Sequence, residues 1–387
     1  MQALVTLPDA DAGVRTVPIP APGPGQVRVR VKAIALNPVD ALYVAKPASA
    51  PGRVVGSDFA GIVDAVGEAS DERPLWKVGD RVAGFLHGAC QENTLPGAFA
   101  EYAVADADLI YGVPPNVTLE GAATLPLCIN TASNGLFRVL GLPTPWSAAH
   151  APSETITSSK RLAILIYSGA TSVGAFAIQL ARLSPSNPLI VTTASPSNAE
   201  YLKSLGADHV LDYHNPTWTQ QARELASEAG AEFQWGLDCI SEGDTVGIVS
   251  QVFDGAGKIA TVRGPTQWAH DGIKEGVHAQ YMAVWTLLGK EFWYNGGNHF
   301  PAEPTHRALA VAVYKYLTSG SESDSPDSSP LATGALKPNK IRLMPGGLAD
   351  VPSAFALLGA GRVTEREKLE DMRPLRAEKM VYRLEQD

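Results

Sequence analysis

The sequence predicts an α/β protein of two domains, a β-rich domain at the start of the chain and a parallel α/β domain after it. Three observations carry this expectation. Alternating residues at Gln26 to Val31 (QVRVRV) open a series of short strands in the first third of the chain. From Arg161 onward, apolar strands alternate with helical stretches, which calls for parallel strands joined by crossover helices. A length of 387 residues leaves a sizeable core for each of two domains.

Taken in order, QVRVRV has the period-2 pattern of a strand with one buried face. Further β-rich runs stand at Gly61 to Val66, Arg81 to Phe85 and Phe99 to Val104, separated by turns such as Val78-Gly79-Asp80 and Pro96-Gly97. Together they read as a small antiparallel barrel or sandwich. LEGAATLPLCINTASNGLFRVL, from Leu119, has helical spacing and reads as a linking helix, and the Pro-, Ser- and Thr-rich residues 143–160 read as a surface loop. The parallel strands are expected at Leu162–Tyr167, Leu189–Thr193, His209–Leu211, Trp235–Cys239 and Lys258–Val262. Helices are expected at Val173 to Leu183, with one apolar side, and at Asn198 to Leu205, closed by Gly206. After Gly264 the alternation stops, and SGSESDSPDSSPLATG (319–334) reads as a low-complexity, mobile insert. From Asn339 the pattern resumes with a strand at KIRLMP, a helix at Leu348 to Leu358 and a final strand at KMVYRLE, a tail expected to pack back onto the first domain.

Composition narrows the function. A net charge of −9 offers no long-range attraction to nucleic acid or to an anionic membrane. No stretch approaches the roughly 20 apolar residues that span a bilayer, and the N-terminus lacks the pattern of a secretory signal. Cys90, Cys128 and Cys239 are odd in number and widely spaced, which fits a reducing compartment and makes the cytoplasm the expected location. His87 and Cys90 are the one close His/Cys pair, with no second pair at ligand spacing, so no metal site is expected. No GxSxG motif supports hydrolysis.

The strongest signal is ILIYSGATSVGAFAIQLAR, an apolar strand to Tyr167 followed by a small-residue turn leading straight into a helix. Backbone N–H groups there, with the positive helix end, can receive a pyrophosphate, and glycine allows close approach. Thr171, Ser172, Val173 and Gly174 are the candidate phosphate residues, although the spacing departs from GxGxxG. The second strand-to-helix turn separates the two nicotinamide cofactors, because NAD enzymes usually place a carboxylate there. Here the sequence runs Ser195, Pro196, Ser197, Asn198. Hydroxyl and amide donors suit a 2′-phosphate that a carboxylate would repel, which points to NADPH; the competing reading is an ordinary helix cap. Lys203 adds charge nearby, and Tyr213 stands where it can flank the adenine end or simply pack.

The order of short motifs is itself informative: LNPVD (36–40), GSDFAGIVDAVG (56–67), VGDRVAGF (78–85), GAFAEYAV (97–104), LPLCINTA (125–132), SGATSVG (168–174), SLGADHVLDY (204–213) and EKMVYRLE (378–385). Together they resemble the zinc-free branch of the medium-chain dehydrogenase/reductase superfamily, which includes quinone reductases and enoyl reductases. That resemblance implies a GroES-like catalytic domain formed by residues 1–127 with 285–387 and a Rossmann dinucleotide-binding domain at 128–284. Where zinc-dependent relatives place metal ligands, this chain has Gly56, Ser57 and Asp58. The insert after LGLP, the TTASPSN turn and YMAVWTLLGKEF (281–292) look like fungal trans-acting enoyl reductases, partners of highly reducing polyketide synthases.

This likeness implies hydride transfer from NADPH to the β-carbon of an α,β-unsaturated acyl thioester on a carrier domain, protonation at the α-carbon, a monomer, and a small acyl substrate lying between the domains. Carried over by position, Val39, Asp40, Ala41 and Leu42 line the nicotinamide side, and Val284, Trp285, Thr286, Leu287 and Leu288 contact the acyl chain; plain hydrophobic core is the competing reading for the latter stretch. Leu42 stands where many relatives have lysine, so the proton source stays open between Thr131, Tyr43 and a water. Thr131 can equally be a helix-start residue that satisfies backbone. The basic residues of GRVTEREKLEDMRPLRAEKM (361–380) are either a carrier-docking patch or, with their interleaved acids, a solvated helix. Two other functions remain, a stand-alone reductase of enones or quinones and a binding module that has lost its chemistry.

Overall fold

A computed structural model describes residues 1–68, 75–90, 97–146, 161–294, 298–320, 325–361, 366 and 375–384. Met1–Leu127 with Trp285–Asp387 form one compact unit, and Cys128–Val284 form another.

The first unit opens with a hairpin, β1 (Gln2–Leu7) and β2 (Asp11–Thr16), followed by β3 (Gln26–Ala35), α1 (Pro38–Ala45), β4 (Asp58–Val66), β5 (Arg81–Phe85), β6 (Tyr102–Asp106), β7 (Ile110–Gly112) and α2 (Leu119–Ala123). Alternation in β3 buries Val27, Val29 and Val31 completely. The strand expected at Phe99 to Val104 is displaced to β6, because the Phe99 carbonyl is taken by the Leu4 N–H at 2.9 Å. What read as one linking helix is α2, then α3 (Pro126–Ser133) and a wide π turn over Asn134–Val139. Pro126 supplies the break, since it has no N–H to continue the α2 ladder.

In the second unit, β8 (Arg161–Tyr167), α4 (Ser172–Leu183), β9 (Leu189–Thr193), α5 (Ala199–Ser204), β10 (His209–Leu211), α6 (Trp218–Glu228), β11 (Ala231–Asp238), α7 (Thr245–Ser250), β12 (Gly257–Thr261) and β13 (Val277–Tyr281) build a six-stranded parallel sheet of order β10-β9-β8-β11-β12-β13. Five of these strands carry the apolar pattern read from the sequence. The sixth, VHAQY, escapes it because β13 is an edge strand whose His278 and Gln280 face solvent. The core of this sheet includes Ala163, Leu165, Val191, Phe233 and Ile259, covered by Trp218 and Ala222 of α6 and Val249 of α7.

The chain then returns to the first unit with a small hairpin, β14 (Phe292–Tyr294) and β15 (Asn298–Phe300), then α8 (Pro304–Ser319), β16 (Lys340–Leu343), α9 (Val351–Ala354) and β17 (Glu378–Arg383). Strand β17 pairs antiparallel with the end of β3, in a sheet ordered β16-β17-β3-β4-β5-β7 with β6 alongside the start of β3. One expectation is corrected here. The middle of the low-complexity stretch is packed: Ser329, Pro330 and Leu331 are buried, and the Ser329 hydroxyl donates to the Leu317 carbonyl of α8 at 2.5 Å. Serines that look solvent-loving in a window of sequence are here capping turns against a helix. Residues 321–324 and most of the 143–160 loop lie outside the described residues. No helix among the described residues is long and apolar enough to cross a membrane.

Candidate functional site

The second unit places its phosphate-binding candidates at the end of β8. Ser168 is in the left-handed region, at φ 62°, a conformation that costs a non-glycine residue about 1–2 kcal/mol. Three bonds hold it there: the Ser168 N–H donates to Thr193 Oγ1 at 2.9 Å, the Thr171 hydroxyl donates to the Ser168 carbonyl at 2.9 Å, and the Gly169 N–H donates to the Thr193 carbonyl at 3.0 Å. Thr171 also caps α4, its oxygen accepting the Gly174 N–H at 3.0 Å. A side chain at Gly169 would meet Thr192 Oγ1 at 2.1 Å, and one at Gly174 would meet the Ser168 carbonyl oxygen at 2.6 Å. Gly169 therefore lets the turn fold tightly onto β9, and Gly174 lets α4 start tightly against the turn. With Gly174 satisfied by the cap, the first-turn amides of Ser172 and Val173 have no carbonyl partner within α4, and the positive helix end lies beside them. Such a turn can seat a diphosphate.

Sheet order singles out the same place. It reverses between β8 and β11, and ligands of open parallel sheets bind outside the carboxyl ends of the strands at that reversal. At the end of β11 the buried Asp238 accepts the N–H groups of Ile240 and Ser241 at 2.9 Å and the Thr245 hydroxyl at 2.7 Å. Burial pushes its pKa up, and those three donors pull it back. Neighbouring Cys239 bonds the Thr171 hydroxyl, and burial drives its thiol far from ionisation. At the end of β9, Ser195 and Asn198 stand at helix starts, yet neither caps with its side chain. Pro196 and Ser197 are exposed beside them, and Tyr213 is 41% exposed with its ring against His214 at 4.1 Å.

In the first unit a buried polar network ties together α1, the loop before β4 and β17. Asp40 accepts the Asn37 N–H and the Ser57 hydroxyl, each at 2.7 Å. Asp58 accepts the Asn37 side-chain amide at 2.9 Å, the Leu127 N–H at 2.7 Å and the Lys379 ammonium at 2.5 Å. Burial raises the Asp40 pKa to about 7, against the pull of Ser57 and Asn37, and nearby Asp58 adds to the rise. The region where zinc-dependent relatives hold their metal does not fit a zinc ion: Ser57 is spent on Asp40, and a lysine ammonium already sits against Asp58. No group of three or more His, Cys, Asp or Glu among the described residues is placed to hold a metal.

Beside this network lies an aromatic cluster. His87 is buried, its Nε2 lies 2.7 Å from the Tyr43 hydroxyl, and its ring stacks on Trp285 at 4.0 Å with 9° between the planes. Phe292 meets it edge-on at 5.3 Å. Burial lowers the His87 pKa to about 3, so the ring is neutral at physiological pH. Val284–Leu288 form a 3₁₀ turn with Trp285, Thr286 and Leu287 buried. Its end is pinned by Arg307 of α8, which donates to the Leu288 carbonyl at 2.9 Å and pairs with Asp106 and Asp108.

Comparison with known proteins adds the family. Residues 23–115 match the alcohol dehydrogenase GroES-like domain, and 172–275 match the zinc-binding dehydrogenase domain. The chain is 32% identical to the trans-enoyl reductase opdC of Penicillium oxalicum, covering 86% of this chain and 85% of that one. The chain belongs to the zinc-free medium-chain dehydrogenase/reductase superfamily. It is likewise 30% identical to a zinc-type alcohol dehydrogenase-like protein of Schizosaccharomyces pombe, over 85% of this chain and 87% of the relative. Among solved structures, an alcohol dehydrogenase superfamily protein from Novosphingobium aromaticivorans superposes with a TM-score of 0.71 at 25% identity, each chain fully covered.

This dehydrogenase/reductase is an NADPH-dependent oxidoreductase of the enoyl-reductase type, with a Rossmann-like nucleotide-binding domain and a GroES-like catalytic domain. Its candidate residues fall on both units. Thr131, 171–174, 195–198, Tyr213 and Val284 belong to the second, and Val39 to Tyr43 with Trp285 to Leu288 belong to the first. Thr131 is the sixth residue of α3, so the helix-start reading does not hold for it. Of the proposed basic patch, Arg362, Lys368 and Arg373 lie outside the described residues, and Lys379 is buried against Asp58, not offered to a partner. Sequence reading also weighed His87 only as a metal ligand. Its partners Tyr43 and Trp285 are 44 and 198 positions away by number, and no local pattern joins them.

Proposed function

We propose that this enzyme acts in trans on a polyketide synthase, reducing the α,β-unsaturated acyl thioester carried on an acyl carrier domain, as a cytoplasmic monomer. The observation that carries this reading is the identity of about a third shared, over most of both chains, with several fungal trans-enoyl reductases. When bound, NADPH supplies the hydride that adds to the β-carbon. The protein's own residues bind and orient. The Ser172 and Val173 amides, with Thr171 and Gly174 shaping the turn, receive the diphosphate. Ser195 and Asn198, uncommitted as caps, meet the 2′-phosphate together with Ser197, with Pro196 holding their turn, and Tyr213 flanks the adenine. Val39 to Leu42 line the nicotinamide side, with Asp40 bracing α1 from within. Trp285, Thr286 and Leu287, between Val284 and Leu288, guide the acyl chain. Thr131 polarises the thioester carbonyl, and the Tyr43 hydroxyl is the candidate proton source for the α-carbon. The test is NADPH consumption with enoyl thioesters on a carrier domain set against free enones and quinones. Preferential turnover of the thioesters is expected; rapid reduction of quinones with none of thioesters would replace this reading with that of a stand-alone quinone reductase.

A further inference from the structure

We infer that His87 is a positioning residue that holds the nicotinamide-side hydroxyl of Tyr43 and the acyl-side indole of Trp285 in one fixed relation. The inference rests on the functional reading above for what those two segments touch. Its own grounds are geometric. His87 follows β5, Tyr43 belongs to α1, and Trp285 comes from a turn nearly two hundred residues further on, so a single ring joins three separate parts of the unit. The two contacts use different parts of the ring. Nε2 meets the Tyr43 oxygen at 2.7 Å, and the ring face lies on Trp285 at 4.0 Å, with Phe292 closing the edge. Burial keeps the imidazole neutral, so neither contact changes with pH in the working range. A buried histidine whose polar atom and aromatic face serve two separate groups can be taken apart by substitution, one function at a time.

His87→Phe keeps the stacking face and loses the nitrogen. His87→Gln places an amide nitrogen near the position of Nε2 and loses the face. With crotonyl and dodecenoyl pantetheine thioesters as probes, His87→Phe should lower kcat for both by about tenfold, as the loss of one buried hydrogen bond predicts, with KM little changed. His87→Gln should instead raise KM for the dodecenoyl thioester several-fold and spare kcat for the crotonyl one. Tyr43→Phe, which removes the hydroxyl itself, should cost at least as much as His87→Phe, and adding His87→Phe to it should cost nothing further, because the bond His87 supplies is already gone. In the ligand-free protein the His87 imidazole ¹⁵N resonances should move on Tyr43→Phe and stay untitrated between about pH 5 and 9. NADPH affinity by calorimetry, unchanged in both His87 variants, confirms that the protein is folded. Equal losses of kcat and KM in both variants, additive effects with Tyr43→Phe, or an unshifted imidazole would overturn the inference. A wild-type protein inert toward both thioesters would instead remove the functional reading beneath it.

Discussion

Asp40 sits enclosed among Asn37 and Ser57, and burial raises its pKa. Its native pKa, raised by burial to about 7, exceeds that of the unfolded chain, so between about pH 4 and 7 the folded protein keeps a proton that the unfolded chain has given up. Stability from this group is therefore greatest at low pH and declines as pH rises through that window, levelling above it. Asp40→Asn, which keeps an acceptor for the Asn37 N–H, should flatten that part of the curve, and thermal denaturation from acid to neutral pH reads it directly. At the second strand-to-helix turn, Ser195→Glu would, on the proposed cofactor reading, bring a carboxylate toward the 2′-phosphate. NADPH affinity should fall about tenfold or more by calorimetry, while NADH affinity changes little. Ser195 stands out in the sequence because a missing acid at the second turn of a βα unit is a local signal. Asp40 was legible only as part of a motif, since its burial depends on Ser57 and Asp58 from another element.

Among the elements, the β8 turn is tightly constrained by packing. Gly174→Ala would drive a methyl to within 2.6 Å of the Ser168 carbonyl oxygen and 2.7 Å of the Gly169 Cα. Overpacking of this kind should cost about 1–3 kcal/mol and weaken NADPH binding with it, seen as a lower denaturation midpoint and a larger Kd. An unchanged midpoint would mean the turn is looser than its contacts imply. Elements such as α4 and β8 are readable from sequence because they are largely buried, β8 as a continuous apolar run over 162–166 and α4 over 174–181. Edge strand β13 is not, because only half of it needs to be apolar. The serine-rich stretch before β16 misled for a related reason: Ser329 and Leu331 are held by α8 and by Asn116, contacts that composition cannot reveal.

For the whole molecule, the first unit is discontinuous, and its last strand closes it. Lys379 on β17 reaches across 321 positions to Asp58, both side chains fully buried. Lys379→Met would leave Asp58 without its cation and should destabilise the protein by about 3–5 kcal/mol, measured by denaturant unfolding. A cost below 1 kcal/mol would show that Asn37 and the Leu127 amide suffice to hold that carboxylate. The final strand is readable from the sequence, yet Lys379 reads there as a solvated base, of a docking patch or of a charged helix, since nothing along the chain distinguishes a buried lysine from its solvated neighbours. The central claim concerns chemistry on a carrier-bound double bond. It is tested most directly by incubating the enzyme with NADPH deuterated at C4 and an enoyl thioester loaded on an acyl carrier domain, then locating the label by mass spectrometry. One deuterium at the β-carbon of a saturated acyl chain is the predicted result. An unreduced acyl chain, with the deuteride consumed only when a free quinone is added, would contradict it.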